Sequence, residues 1–190
     1  MDHGIREKWD ARYASEDYVY GEEPLALLVD FAHLLPAAGH ALDVACGEGR
    51  NAVFLAGRGL ETLALDISAV GLRKTQQLAA RRGVSMRVSL TDLERHPLPA
   101  GPFDAIVCAH YHQRTLCEPI TAALAPGGLL VMELHTVQNL AHHPRPSRPF
   151  LVEHNELLTW FPALRLVHYQ ELVQQPSKHA VAQLVARQPA

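Results

Sequence analysis

Short apolar runs and helical-period segments alternate along the first two-thirds of the chain. Residues 41–44, 61–65, 86–90, 103–108 and 129–134 read as strands. Residues 103–108 form a dense apolar run with the length of a buried parallel strand. Between the strands, residues 51–58, 68–83 and 115–124 carry apolar positions at helical spacing. Ser68 suits a helix N-cap and Gly83 a helix stop, and Pro126-Gly127-Gly128 is expected to end the third helix. Such alternation implies right-handed crossovers and a doubly wound, mostly parallel sheet in the α/β class.

The pattern changes at both ends. Residues 24–35 read as one helix closed by Pro36 and Gly39, after a segment bearing Trp9, Tyr13, Tyr18 and Tyr20. Beyond His135, residues 137–153 hold Pro144, Pro146 and Pro149 and read as a loop. A short helix over 155–161 leads to strands over 164–170 and 181–187, too close for a crossover helix, so they pair antiparallel. The expected architecture is a seven-stranded sheet ending in an antiparallel hairpin, within one domain of residues 1–190. Its parts are an N-terminal helical preface or lid (1–39), a cofactor-binding core (40–135), the loop (137–153) and a C-terminal helix and hairpin (154–190).

Composition narrows the function classes. A chain of 190 residues with 48% apolar and 19% charged residues can bury an ordinary globular core. A formal charge of −3 gives no nucleic-acid footprint, and Arg81-Arg82 suits a solvated helix end. The N-terminal stretch Met1–Glu7 has no signal-peptide core and no apolar run spans a membrane, so a cytoplasmic protein is expected. Cys46, Cys108 and Cys117 form no disulfide or zinc pattern and are expected to be packing residues. His110, His112 and His135 lack a completing ligand at recognisable spacing, so no metal is expected.

The chemistry concentrates in Asp43-Val44-Ala45-Cys46-Gly47-Glu48-Gly49-Arg50-Asn51. This stretch closes the first strand with a carboxylate and turns through two glycines into a helix. Asp66 closes the second strand and Thr91-Asp92-Leu93 the third. Glycines allow close backbone approach to a ligand, and a carboxylate at the next strand end can accept both ribose hydroxyl protons. Gly47-x-Gly49-x-x-Ala52 with Asp66 satisfies a dinucleotide fingerprint, which keeps a small NAD-dependent oxidoreductase as an alternative. Against it stand Asp43, unwelcome near a pyrophosphate, bulky Arg50 and Asn51 at the helix start, and a second half that ends in a hairpin. S-adenosylmethionine, with a sulfonium, an ammonium and no phosphate, suits the acids better. Asp92 then faces the adenine amino group and Leu93 its ring.

On these residues the chain resembles class I S-adenosylmethionine-dependent methyltransferases over nearly its whole length. Within them it resembles small-molecule enzymes related to tellurite-resistance and thiopurine methyltransferases. The likeness rests on residues 47–52, on Asp66-Ile67-Ser68-Ala69-Val70-Gly71-Leu72, and on Trp9-Asp10-Ala11-Arg12-Tyr13 with Tyr20-Gly21-Glu22-Glu23-Pro24. Ala45 departs from the family's first glycine, a change expected to add only a methyl group. The resemblance implies a cofactor site of Asp43, Ala45, Cys46, Gly47, Gly49, Asn51, Asp66, Ile67, Asp92, Leu93 and Ala109. It implies an acceptor site over the ends of strands four and five, with His110 and His135 as catalytic candidates. Tyr20, Tyr111 and Arg114 are the acceptor contacts, and at most one of Glu133 and His135, taken to be alternately facing, is expected to enter the pocket, His135 being the choice. The acceptor it implies is a small molecule, a soft sulfur, selenium or tellurium nucleophile or a small oxyanion. A module that binds the cofactor without methylating anything is the other alternative. The oligomeric state is left open, a monomer included.

Overall fold

In the computed structural model, residues 3–190 are described, so Met1 and Asp2 of the N-terminal stretch lie outside the described residues. Seven strands form one sheet: β1 Gly39–Val44, β2 Leu60–Asp66, β3 Arg87–Leu90, β4 Phe103–Ala109, β5 Leu124–His135, β6 Arg165–Val173 and β7 Ala180–Arg187. Their spatial order is β3-β2-β1-β4-β5-β7-β6. β1, β2, β3, β4 and β5 run parallel, while β7 pairs antiparallel with both β5 and β6. This is the doubly wound mixed sheet, with its terminal hairpin, that the alternating pattern predicts. Strand order reverses between β1 and β4, which opens a crevice at their carboxyl ends.

Five α-helices accompany the sheet: α1 His3–Arg12, α2 Ala26–Asp30, α3 Arg50–Gly57, α4 Ala69–Arg81 and α5 Cys117–Ala123. Period-2 alternation divides the strand side chains between two apolar layers. Ile106 and Cys108 join one cluster with Leu42, Val44 and Leu130, whereas Ala105 and Val107 join another with Ala41, Leu55 and Val131. Both faces of the central strands are therefore largely apolar, which explains their dense apolar runs.

Three local expectations change. The helix expected over 24–35 is α2 followed by a 3₁₀ turn, Ala32–Leu34; Leu35 turns extended (ψ 144°) because it precedes Pro36. The helix expected over 155–161 is a 3₁₀ turn, Glu156–Thr159, entered through left-handed Asn155 (φ 61°) and stopped short of Pro162. β5 starts at Leu124, ahead of the expected residue 129, and passes Pro126-Gly127-Gly128 with a shift of register: Phe103 pairs with Leu124 but Ala105 with Leu129. Gly127 N–H donates to Gln188 O at 3.0 Å and Gln188 N–H to Gly128 O at 2.9 Å, so the chain's far end satisfies this stretch.

The preface is sewn to α4. Asp10 accepts from Ser68 Oγ (2.6 Å) and Val70 N (3.1 Å). Lys74 Nζ, nearly buried, meets Glu48 Oε1 at 2.5 Å and donates to the carbonyls of Ser15 (3.0 Å) and Asp17 (2.7 Å). Arg81 and Arg82, expected to be solvated, pair with Glu22 and Glu23 of the preface.

Candidate active site

The crevice at the carboxyl ends of β1, β2, β3 and β4 holds a cavity roofed by α1 and the following loop. Ala45, Cys46, Gly47, Glu48, Arg50 and Asn51 supply its floor, and Asp66 with Ile67 one side. Thr91, Asp92, Leu93 and Glu94 form the far end, and Ala109, His110 and Tyr111 the near end. Ile5, Trp9, Tyr13, Tyr20 and Gly21 close the top.

The turn is built around Asp66, whose Oδ2 accepts from Gly47 N (2.7 Å) and Oδ1 from Ser68 N (2.8 Å). This carboxylate fixes the glycine turn and caps the approach to α4 while still facing the cavity. A methyl group at Gly47 would come within 2.9 Å of the Tyr13 hydroxyl, so the roof rests directly on the turn. Gly49 (φ 87°) has no room either: a Cβ there would lie 2.4 Å from Thr75 Cγ2. Ala45 adopts φ 55°. Its cost is therefore backbone strain in the left-handed region, about 1–2 kcal/mol, and not the bulk of a methyl group.

Three acids converge behind and beside this turn. Asp43 is 1% exposed, and its Oδ2 has no hydrogen-bond partner among the described residues. Burial drives its pKa up to about 7, against the Ala52 N–H and Arg50, which favour the charged form. Asp66 is also raised by burial. Asp92 Oδ2 is buried and unbonded, with Arg95 Nε 3.6 Å away. The three cysteine thiols are all raised by burial, consistent with packing and not with nucleophilic roles.

On the acceptor side, His110 follows β4 in a left-handed conformation (φ 58°). Its N–H donates to Glu133 O (2.7 Å), and its Nε2 lies 3.3 Å from Glu133 Oε1. His135 stacks on it at 4.7 Å, His179 lies 5.1 Å beyond, and His143 stacks on His179 at 4.2 Å. Burial lowers His110 to about 3 and His135 to about 4, so both rings are neutral near pH 7. Among the described residues no group of histidine, cysteine or acid side chains is placed to hold a metal ion.

The placement of the expected site residues is therefore uneven. Ala45, Cys46, Gly47, Asn51, Asp66, Ile67, Asp92, Leu93, Ala109, His110, Tyr20 and Tyr111 line the cavity. Asp43 and Gly49 stand behind its wall. Arg114 turns away: its side chain is 63% exposed, 3.4 Å from Glu156, and lies over the Trp160 ring. Its place in the loop is taken by Gln113, which ties Leu93 O (3.1 Å) to the Tyr111 hydroxyl. His135 does not reach the cavity wall. It shares a sheet face with Glu133, because residues two apart on a strand point the same way, so the expected choice between them does not arise. Ile5, Glu48 and Glu94 line the cavity although the sequence pattern does not single them out. For Glu48 a signal exists, since an acid between two glycines at a helix start is well placed to receive main-chain donors; it accepts from Val19 N at 2.8 Å.

The chain is similar to proteins already known. Residues 41–128 match a family described as methyltransferase domain. A curated relative, tRNA 5-carboxymethoxyuridine methyltransferase of Escherichia coli K12, is 27% identical over 120 residues, 59% of this chain. The chain spans less than half, 46%, of that relative's length. Among solved structures, N-methyltransferase NodS from Bradyrhizobium japonicum WM9, in complex with S-adenosyl-L-homocysteine, superposes with TM-score 0.73 at 20% identity, covering 97% of this chain and 98% of that one. TehB from Haemophilus influenzae gives TM-score 0.70 at 16% identity, covering 96% of this chain and 66% of that one. These two likenesses concern the fold. The family likeness covers residues 41–128, the stretch from β1 into β5 that carries the glycine turn, Asp66 and Asp92.

Proposed function

We propose that the protein transfers the methyl group of S-adenosylmethionine to a small acceptor seated against His110 and Tyr111. The observation that carries this reading is the charge of the cavity wall. Glu48, Asp66, Asp92 and Glu94 line it, with Arg50 as the arginine or lysine among the lining residues. Such a wall favours a cofactor carrying cationic sulfur and nitrogen over a pyrophosphate, which speaks against the NAD reading. The orphaned Oδ2 of Asp92, a residue of the cavity wall, is the further sign that the site expects a polar ligand.

In this reading Asp66 holds the ribose hydroxyls, and Asp92 and Leu93 hold the adenine. The turn over residues 45–49 and Asn51 face the methionine portion, with Asp43 adding negative potential from behind. When bound, S-adenosylmethionine supplies an electrophilic methyl group on a good leaving group. What the protein adds is position and dryness: Trp9, Tyr13 and Tyr20 exclude water, and His110 stands where an acceptor proton has to go. A tellurite-like soft nucleophile stays within the class suggested by the resemblance. The tRNA acceptor of the curated relatives is not carried over, given the short shared stretch and this chain's formal charge of −3. A cytoplasmic location belongs to the same reading, supported by three free cysteines.

Calorimetric titration with S-adenosylhomocysteine and with NADH tests the cofactor. Binding of the first and not the second is expected, and the reverse would overturn the reading. Labelled-methyl screening of small thiols, amines and oxyanions then identifies the acceptor; a bound cofactor with an acceptor face that methylates nothing would favour the non-catalytic alternative.

A further inference from the structure

Glu133 is an acid in the middle of an apolar strand, fully buried, and it does not line the cavity. A buried carboxylate is tolerable only with donors around it. Two come from the terminal hairpin: Gln183 Nε2 at 2.7 Å from Oε2, and Gln174 Nε2 at 3.2 and 3.3 Å from the two oxygens. The third neighbour is His110 Nε2, 3.3 Å from Oε1. Glu133 also grips His110 by its backbone, accepting the His110 N–H at 2.7 Å and so holding the residue at its unusual φ. His135, on the same face, lies against the ring at an interplanar angle of 20°. One strand thus fixes the main chain, one ring nitrogen and the ring plane of the residue that lines the cavity.

We propose that Glu133 is a positioning residue: it keeps the proton of His110 on Nε2, so that the bare Nδ1 serves an acceptor that surrenders a proton on methylation, such as an amine or a thiol. The inference rests on the methyl-transfer reading above and narrows its acceptor class. With the carboxylate ionised, a bare Nε2 would face a lone pair at 3.3 Å, so the ring nitrogen nearest Glu133 carries the hydrogen. Burial prevails and raises Glu133 above the usual carboxylate range, with the Gln183 and Gln174 donors and Arg50 acting the other way, toward the ionised form. As the acceptor's lone pair bonds to the methyl carbon, the carbon–sulfur pair departs with sulfur and the acceptor's proton moves to Nδ1. The resulting imidazolium sits beside the Glu133 carboxylate, which stabilises its charge. An oxyanion already stripped of its proton would make no use of this arrangement.

The test is long-range ¹H–¹⁵N correlation NMR of the imidazoles, assigned with His110→Gln, on the protein saturated with S-adenosylhomocysteine at neutral pH. A protonated Nε2 and a pyridine-like Nδ1 are expected for His110 in the unaltered protein, so the first result does not depend on any variant folding. In Glu133→Gln the preference should shift toward Nδ1–H or a mixture, with the S-adenosylhomocysteine dissociation constant changed less than about threefold. A His110 carrying its proton on Nδ1 in the unaltered protein overturns the proposal, as does an unchanged tautomer in a folded Glu133→Gln. Failure of S-adenosylhomocysteine to bind at all would instead strike the cofactor reading, so the two failures are distinguishable.

Discussion

The two ends of the cavity are built on opposite electrostatic plans. At the cofactor end, acids from consecutive strand ends are packed around a glycine turn, and burial makes Asp43 harder to ionise. At the acceptor end, imidazoles from β4, β5, the 137–153 loop and the hairpin lie ring to ring, and burial makes His110 and His135 harder to protonate. The first end stores unfavourable charge that a cationic ligand can relieve. The second keeps bases neutral and ready. The two ends thus differ in the sign of the charge that burial suppresses.

The largest expected effect lies at the clasp of the cofactor end. Lys74→Met leaves Glu48 charged and buried without its partner, and should cost about 3–5 kcal/mol in urea unfolding. Hydrogen exchange over residues 13–20 should rise as well, because the carbonyls of Ser15 and Asp17 lose their donor. Retained protection there would show that the preface does not depend on the clasp. Gly49→Ala should cost roughly 2–4 kcal/mol, combining a left-handed backbone with overlap on Thr75. Gly83→Ala, at φ 68° with nothing near its would-be Cβ, should cost only about 1 kcal/mol. Equal losses at the two glycines would mean that space around Gly49 is irrelevant.

Stability against pH separates the ends most directly. Asp43 has a folded pKa of about 7 against 3.8 unfolded, so between those values the folded state holds more proton and this group stabilises as pH falls. His110 and His135 have folded values of about 3 and 4 against 6.5, so the unfolded state holds more proton below 6.5 and these groups destabilise as pH falls. Asp43→Asn should therefore raise stability near pH 8 by about 2–3 kcal/mol, weaken S-adenosylhomocysteine binding, and steepen the loss on acidification to pH 5. His135→Phe should flatten that loss while changing stability at pH 7 by less than about 1.5 kcal/mol. Parallel profiles for the two variants would erase the distinction between the two ends. The smallest effect is Ala45→Gly, a gain of about 1 kcal/mol from relieved backbone strain, read as a higher urea midpoint.

Legibility in the sequence follows the same division. The cofactor end is nearly local: a strand, an acid, a glycine turn and a helix start occupy a dozen residues, and the end of the next strand brings Asp66 to Gly47 across 19 positions. The alternation of apolar runs likewise specifies the sheet, because each strand's burial is written in its own residues. The acceptor end is tertiary. His143 and His179 meet only because Asn139 folds the loop onto the start of β7, its Oδ1 accepting from Ala180 N at 3.2 Å. Nothing near either histidine announces that contact. Arg114 shows the same limit, since its partner Glu156 is 42 positions away and no pattern links them. β5 reads as a shorter strand at Pro126-Gly127-Gly128 because turn residues look alike whether or not a distant strand end, here Gln188, comes to pair with them. Glu133 does carry a readable sign, a lone acid inside an apolar strand, which points to buried donors even before they are known.

The bond from Asp10 to the first turn of α4 has a bearing on how molecules enter and leave. α1 contributes Ile5 and Trp9 to the cavity's ceiling, with Tyr13 just beyond its end, and Asp10 on the same helix caps Ser68 and Val70 just past Asp66. Raising that ceiling breaks the cap, and loosens the helix start that Asp66 also braces. The ceiling of the cleft and the integrity of its side wall therefore hang on the same helical turn.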